Sequence, residues 1–535
     1  MHALPASLAT AYAEALARWQ REDRVARLWR GDATLWTGAD EARWLGWLET
    51  PVTERARRAD YARFAADARA SGITRALWAG IGGSSLAAQV YGKLAVDAGL
   101  PITVLDTLLP EDLAAAEHAA DLKKCLVAVA SKSGTTLEMR MLMERLLPRV
   151  PARQFVALTD PGTALGQEAA AQGFAAVFHG EPTVGGRYSA LTAFGLLAAA
   201  LAGFDLDRLL GRAEAMATQC RDGHASNPGL ELGLLLGCAA REGRNKLLLL
   251  SSPRLHTLAL WIEQLVAEST GKAGQGIVPL VAPPGAGLNS GPQADQIAVR
   301  LGLRGDPAPP PAPAGTPVVD LTLEDPHDLG AEFFRWMFAT AVAGAVLGVH
   351  PFDQPDVEAA KTAARKYLGT AGDAATAAPP QQATPVKLML ASGISGRSDE
   401  GDASQAVAAL LQTLQAGDHL ALLCWLPATT ASAIARLQQQ LANSAGVAVS
   451  VGFGPRYLHS SGQLHKGGPA HTACLMLTTE RAPDGEWRSF VDAVNAQARG
   501  DAETLAARGR RLVWLRLAAP LDHALAALAA AAAAG

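Results

Sequence analysis

The sequence predicts an α/β protein with parallel sheets, and two observations support this prediction. From residue 74 onward, short apolar runs of strand character alternate with helical stretches rich in Ala and Leu. Hydrophobic residues make up 49 % of the chain and charged residues 18 %, which is enough apolar material for large cores. Strands separated by helices form βαβ units, whose parallel sheets are buried on both faces. We therefore expect three α/β units, the first two of them in tandem.

Composition shifts divide the 535 residues into five segments. Residues 1–70 have helical periodicity and many Trp residues, and we expect them to form a packing layer. Two β/α series follow at 71–210 and 211–370, and the second contains a stiff, Pro-rich connection. A linker at 371–386 precedes an additional C-terminal α/β block at 387–535.

The composition also excludes several function classes. Lys and Arg number 47 against 51 Asp and Glu, and aromatic residues make up 5 %, which argues against nucleic-acid binding. The longest apolar runs are too short to span a membrane, and the N-terminus lacks the features of a secretory leader. Five dispersed cysteines indicate buried thiols in a reducing compartment. We expect a soluble, cytoplasmic protein.

Two turns rich in Gly, Ser and Thr follow strands of the first α/β series. Gly80–Ser85 (GIGGSS) follows ITRALWA, Ser131–Thr136 (SKSGTT) follows CLVAVA, and each precedes a helix. Backbone N–H groups, hydroxyls and the positive end of a helix dipole suit a phosphate at the carboxyl ends of strands. Neither turn is a dinucleotide fingerprint or a Walker A loop. The first is equally consistent with a tight strand-to-helix turn, whereas the second favours an anion site.

Two charged residues are candidates for chemistry. Arg187 stands between a glycine pair and a nearly all-apolar helix, and Glu268 ends a helix before a Ser-Thr-Gly turn. A carboxylate at a helix C-terminus faces the unfavourable end of the dipole, a setting that suits a base. Taken alone, the Arg187 segment favours an arginine that caps a surface carboxylate, and the Glu268 segment favours a solvated helix end.

Two later motifs add a lysine and a pair of histidines. Pro355 starts a helix in PFDQPDVEAAK, and Lys361 lies almost two turns along it. His459 and His465 lie in LHSSGQLHKGG, in a predicted loop between apolar strands. Because carboxylates and cysteines at matching spacing are missing, we predict no metal site here.

Together these motifs resemble the phosphoglucose isomerase family. GIGGSSLA, SKSGTTLE, VGGRYSALT, AESTGK and PFDQPDVEAAK occur in the order that this family uses, and the similarity extends to the late LHSSGQLHKGGP. More closely, the sequence is similar to the isomerase half of bifunctional transaldolase/phosphoglucose isomerase proteins. No stretch resembles a transaldolase barrel, so we expect isomerase activity only.

The resemblance implies two flavodoxin-like sugar-isomerase (SIS) domains with the active site between them. The implied reaction interconverts glucose 6-phosphate and fructose 6-phosphate through a cis-enediolate, without a redox cofactor or metal. The implied site residues are Ser131, Ser133, Thr136 and the Lys132 backbone at the phosphate; Gly83 and Ser84 beside the sugar; Arg187 at the reacting carbons; Glu268 as base; and Lys361 near the ring oxygen. The resemblance also implies a homodimer, unless the additional C-terminal block covers the surface through which relatives dimerise.

The ring-opening histidine departs from the family pattern. In ordinary bacterial relatives it follows the glutamate by a few tens of residues, but residues 273–326 contain no histidine. His327 comes next, before a helix whose pattern does not match, whereas the surroundings of His459 do match. We predict that His459 takes this role, delivered by the third block of the same or a neighbouring subunit, with His465 and Lys466 close by.

Two other interpretations stay open. Another SIS isomerase could accept mannose 6-phosphate or a pentose phosphate, since sugar selection depends on cleft shape. A non-catalytic sugar-phosphate sensor would keep the SKSGTT turn without needing Arg187 and Glu268. The presence of both charged residues favours an enzyme.

Overall fold

The computed structural model describes residues 4–96, 99–224, 226–283, 294–368, 386–392, 403–479 and 485–534. The linker predicted at 371–386 lies outside the described residues except for Val386, which begins a strand. In these ranges no helix is both long and apolar enough to cross a membrane.

The N-terminal segment forms helices that pack on the first two α/β units. They are α1 (Ala6–Arg21), α2 (Arg24–Trp29), α3 (Thr50–Thr53) and α4 (Arg58–Ala70). Trp19 and Trp47 are buried, as the prediction of a packing layer requires. The Trp47 ring lies 5.4 Å from the ring of Tyr188 and 5.7 Å from that of Phe334, measured between centroids. The segment therefore supports the chain directly after Arg187.

The first α/β unit is a five-stranded parallel sheet covered by helices. Its strands are β1 (Arg75–Ala79), β2 (Ile102–Leu105), β3 (Cys125–Ala130), β4 (Phe155–Thr159) and β5 (Ala176–His179). Its helices are α5 (Leu86–Lys93), α6 (Pro110–His118), α7 (Leu137–Leu146), α8 (Ala164–Gln172) and α9 (Ala193–Leu201). The order β2-β1-β3-β4-β5 is the flavodoxin order, which reverses direction between β1 and β3. The GIGGSS and SKSGTT turns therefore flank the switch point, where ligands of such sheets bind.

The second unit is a four-stranded parallel sheet in the order β7-β6-β8-β9. Its strands are β6 (Lys246–Ser251), β7 (Val278–Val281), β8 (Gln296–Leu303) and β9 (Val318–Leu323). Its helices are α10 (Leu206–Gln219), α11 (Pro228–Arg241), α12 (His256–Thr270), α13 (Leu329–Leu347) and α14 (Pro355–Arg365). Almost all of α13 is buried, which explains why its sequence is apolar on every side.

The third unit is the C-terminal α/β block, with the strand order β10-β14-β13-β11-β12. Its strands are β10 (Val386–Ser392), β11 (His419–Trp425), β12 (Ala448–Phe453), β13 (Thr472–Thr479) and β14 (Arg511–Leu517). Its helices are α15 (Ala403–Gln412), α16 (Ala431–Ala445), α17 (Gly462–Gly467), α18 (Arg488–Ala507) and α19 (Leu521–Ala534). The edge strand β10 is antiparallel to β14, an orientation that the alternation of strands and helices does not predict.

The C-terminal block packs against both other units. Trp425 and Tyr457 share an apolar core with side chains of the first sheet. Ala448 and Leu464 share another with the second sheet. The sequence predicts a loop around His459 and His465, but the structure forms a 3-10 turn at Arg456–His459 followed by α17. This connection, residues 456–467, lies where the three units meet.

Candidate active site

Arg187 and Glu268 form a buried ion pair. Arg187 Nη1 lies 3.0 Å from Glu268 Oε1, and the two side chains are 2 % and 9 % exposed. The other guanidinium contacts are with Ser269 Oγ at 2.8 Å, Gln354 Oε1 at 3.0 Å, and the carbonyl oxygens of Pro351 at 2.8 Å and Asp353 at 2.9 Å. Four hydrogen bonds and the ion pair with Glu268 hold the planar guanidinium in a single orientation.

Helix α12 carries the carboxylate of this pair. The helix continues to Thr270, and Ser269 and Thr270 are helical. The prediction that a Ser-Thr-Gly turn directly follows Glu268 is therefore wrong. Gln264 lies one turn earlier on the same helix and donates through Nε2 to Glu268 Oε2 at 3.0 Å. The same Nε2 also donates to the backbone carbonyl of His459 at 2.8 Å. Gln264 therefore joins Glu268 to the connection from the C-terminal block.

His459 forms a second pair, with the buried Glu138. Its Nε2 lies 2.7 Å from Glu138 Oε1, and Gln497 Nε2 donates to the same oxygen at 2.7 Å. Burial opposes ionisation of Glu138, but the charge and hydrogen bonds of its partners, His459 foremost, outweigh burial and lower its pKa to about 2. The contact is made within one chain, and Glu138 belongs to the SKSGTTLE motif.

The GIGGSS turn contacts both pairs through its backbone. A Cβ on Gly82 would lie 2.3 Å from the His459 carbonyl oxygen, and Gly82 has φ +57°. A Cβ on Gly83 would lie 2.3 Å from the carbonyl carbon of Gly186 and 2.6 Å from the Arg187 nitrogen. Glycine at both positions lets the turn approach both segments. Ser84 follows in the same 3-10 turn and accepts from Trp78 Nε1 at 2.8 Å through its carbonyl.

The SKSGTT turn presents hydroxyls just before α7. Ser131 Oγ lies 2.8 Å from Thr136 Oγ1, and Ser133 Oγ lies 3.0 Å from Thr135 Oγ1. The Lys132 ammonium is paired with Asp160 and also donates to the Glu181 carbonyl at 3.1 Å. The charge of the Lys132 side chain is therefore already balanced by Asp160.

Two predicted candidates lie outside these hydrogen-bonded pairs. Lys361 on α14 pairs with Glu358 at 2.9 Å and is 34 % exposed. Its assignment near the ring oxygen stays a prediction. His327 lies in the turn before α13, 2.9 Å from Asp325 Oδ1, and its Nε2 accepts from the Asp205 N–H. The contacts of His459 therefore lead to the Glu268 pair, and those of His327 lead to the start of α10.

Three glutamines and one glutamate of this site escape sequence reasoning, although all four have a sequence signal, Gln463 through its place in LHSSGQ. Glu138 lies inside SKSGTTLE, Gln264 precedes Glu268 by one helical turn, and Gln354 lies inside PFDQP. Gln463 is fully buried and donates to the Gly271 carbonyl at 3.1 Å and to Asp356 Oδ2 at 2.6 Å. It therefore attaches α17 to the ends of α12 and α14.

The flavodoxin-order first sheet, the hydroxyl-rich turn at its switch point and the buried carboxylate–guanidinium pair are together typical of proteins with the sugar-isomerase (SIS) fold. A family model described as phosphoglucose isomerase matches residues 58–278. Glucose-6-phosphate isomerase of Symbiobacterium thermophilum is 33 % identical over 393 residues, covering 61 % of this chain and 87 % of the relative. That of Heliobacterium modesticaldum is 30 % identical over 403 residues, covering 63 % and 89 %. The chain belongs to the phosphoglucose isomerase family.

Solved structures show the same architecture. A hypothetical protein of Thermus thermophilus is 25 % identical, with a TM-score of 0.57 over 69 % of this chain and 100 % of that chain. A glucose-6-phosphate isomerase of Chlamydia trachomatis is 21 % identical, with a TM-score of 0.51 over 60 % of this chain and 74 % of that chain. These similarities confirm the predicted fold class.

Proposed function

We propose that this chain interconverts glucose 6-phosphate and fructose 6-phosphate through a cis-enediolate formed between Glu268 and Arg187. Membership of the phosphoglucose isomerase family supports the overall reaction. The single observation that carries the mechanism is the 3.0 Å contact between Arg187 Nη1 and Glu268 Oε1. It places a base beside a fixed cation, the two groups that an enediolate mechanism requires.

The SKSGTT turn holds the phosphate. Ser131, Ser133 and Thr136 supply hydroxyl donors, and the N–H groups of the turn around Lys132 and of the first residues of α7 add further donors. Gly83 and Ser84 face the sugar from the neighbouring turn. The hydrogen bonds from Glu268 through Gln264 and His459 to Glu138 support this arrangement, because Glu138 lies in the first turn of α7.

His459 opens the sugar ring, with Lys361 near the ring oxygen. The Nε2 bond to Glu138 leaves Nδ1 to exchange a proton with the substrate. Glu138 stays ionised because its pKa is about 2, so it stabilises the imidazolium whenever His459 takes up a proton. Opening requires a proton at the ring oxygen and loss of one from the anomeric hydroxyl.

Glu268 then moves one proton between carbons. It takes the proton from C2 of the open aldose, the C2–H electrons form the enediol double bond, and the C1 carbonyl oxygen becomes the enediolate. Arg187 stabilises that negative charge without itself moving. Glu268 returns its proton to C1, and the O2 hydroxyl proton transfers to O1, which leaves the ketose. Atoms and charge balance without a cofactor.

The test is a coupled assay of fructose 6-phosphate conversion, without added metal, on wild type, Glu268→Gln and Glu263→Gln. Glu263 is a matched control because it lies on the same helix and burial raises its pKa to about 7. We expect Glu268→Gln to lower kcat about 10²- to 10⁴-fold and Glu263→Gln to retain activity. An inactive wild type, or an active Glu268→Gln, would contradict the proposal.

The proposal extends to organisation, assembly and location. Residues 71–210 and 211–370 act as two SIS domains, the enzyme works in the cytoplasm, and two copies form a homodimer. In support of a reducing compartment, all five cysteines are free and buried. Size-exclusion chromatography with light scattering tests the dimer, and a mass of about 55.5 kDa would contradict it.

A further inference from the structure

The turn at residues 350–354, between α13 and α14, holds Arg187 from one side. Its carbonyl oxygens at Pro351 and Asp353 accept from Nη2 at 2.8 and 2.9 Å, and Gln354 Oε1 accepts from Nη1 at 3.0 Å. Three of the five guanidinium donors therefore depend on the conformation of this turn.

His350 fixes that conformation. Its Nδ1 accepts from the backbone N–H groups of Phe352 at 3.1 Å and Asp353 at 3.2 Å. Both bonds require an Nδ1 without a proton, so the hydrogen of the neutral ring must be on Nε2. His350 is 7 % exposed, so its tautomer depends on the protein groups around it.

Asp40 of the N-terminal segment accepts that Nε2 hydrogen. Its Oδ1 lies 2.9 Å from His350 Nε2, and its Oδ2 accepts from Trp44 Nε1 at 3.0 Å. A carboxylate at Nε2 stabilises the tautomer that leaves Nδ1 as an acceptor. Asp40 is itself 59 % exposed, so it can be replaced without opening a cavity.

Lys272, in the second α/β unit, forms an ion pair and a hydrogen bond with the same turn. Its Nζ lies 2.8 Å from Asp353 Oδ1 and also donates to the His350 carbonyl. Burial, with the charge of Arg187 next, lowers the pKa of Lys272 to about 7. The turn is thus attached both to the N-terminal segment and to the end of α12.

We propose that Asp40 is a positioning residue for Arg187, acting through the tautomer of His350 and the backbone of the 350–354 turn. The inference rests on the proposed role of Arg187. It gives the N-terminal segment, which the sequence suggests is only a packing layer, a part in the chemistry.

The experiment compares Asp40→Ala and Asp40→Asn with Asp60→Ala in the full chain. Asp60 is a matched control because it is also an aspartate of the N-terminal segment, 56 % exposed and in a surface ion pair. We expect Asp40→Ala to lower kcat about tenfold with less than a twofold change in KM, because Arg187 acts on charge that develops in the transition state. Asp40→Asn keeps an acceptor oxygen and should stay within about twofold of wild type. Asp60→Ala should match wild type.

A second background separates positioning from a general structural effect. In a His350→Asn protein, adding Asp40→Ala should lower kcat no further, because the link is already broken. Three outcomes would each overturn the inference. The first is an equal tenfold loss of kcat in the His350→Asn background, and the second is a kcat of Asp40→Ala equal to that of Asp60→Ala. The third is a loss of kcat that follows a lowered Tm. Arg187→Lys distinguishes the two proposals, since unchanged kcat in that variant would overturn the proposed function itself.

Discussion

Replacing Glu138 by Gln should separate ring opening from proton transfer. Glu138 is 2 % exposed and lies 2.7 Å from His459 Nε2. The lowering of its pKa from 4.5 to about 2 corresponds to about 3 kcal/mol of preferential interaction with the ionised carboxyl. A Gln side chain keeps the shape and one hydrogen bond but loses the charge that stabilises the imidazolium. We therefore expect kcat on ring-closed fructose 6-phosphate to fall by up to about 100-fold.

The assay needs one substrate that cyclises and one that cannot. Fructose 6-phosphate is followed by coupled oxidation of the glucose 6-phosphate formed. 5-Deoxyfructose 6-phosphate lacks the hydroxyl that closes the ring, and its isomerisation is followed by NMR. Glu138→Gln should retain most of its rate on the open-chain substrate, because Glu268 and Arg187 are intact. His459→Gln should show the same selectivity.

Glu144→Gln serves as the control, because this exposed glutamate lies on the same helix. We expect it to match wild type on both substrates. Equal losses on the two substrates for Glu138→Gln would refute the reasoning, and so would an unchanged rate on fructose 6-phosphate.

Three further predictions follow from the same contacts. Gly83→Ala should lower both Tm and kcat, because its Cβ would lie 2.3 Å from the Gly186 carbonyl carbon. Gly185→Ala should change neither, because a Cβ there would have no atom within 4 Å. Thermal melts and the coupled assay measure both effects. Gln264→Leu should lower kcat about tenfold or more on ring-closed and open-chain substrates alike, because Glu268 Oε2 loses its hydrogen bond; a loss confined to the ring-closed substrate would contradict this. Burial lowers the pKa of His465 to about 3. Between about pH 6.5 and pH 3 the unfolded chain therefore binds a proton at this side chain and the folded chain does not. The free energy of unfolding then falls by about 1.4 kcal/mol for each pH unit that the pH is lowered. Urea unfolding at pH 7 and 5 should show a smaller loss for His465→Gln than for wild type, and equal losses would contradict the assignment.

Local patterns in the sequence predict much of the fold and part of the site. Short β-branched and Leu-rich runs between helical stretches predict parallel sheets, and the structure forms them at β1 to β9. The turns at Gly82 and Ser131 are predictable because a strand followed by a Gly- or Ser-rich helix start is a local signal. Arg187 and Glu268 are identified by their motifs, although neither motif shows that the two side chains touch.

Contacts between distant segments cannot be predicted from local sequence patterns. Glu138 and His459 are 321 residues apart, and their 2.7 Å contact depends on the C-terminal block docking where the two other units meet. The links from Asp40 to His350 and from Gln264 to His459 have the same origin. The antiparallel direction of β10 likewise has no signature in periodicity.

The amino-acid sequence by itself therefore determined the class of fold, the hydroxyl-rich SKSGTT turn and the motifs that contain Arg187 and Glu268. Those features depend on residues within one or two turns of each other, where propensity and spacing are decisive. The surroundings of His459 favoured it over His327 already in the sequence, and only the tertiary structure decided what His459 contacts and what holds Arg187 in place. The reason is physical: such contacts require complementary burial of surfaces from separate units, and no short stretch of sequence contains both sides.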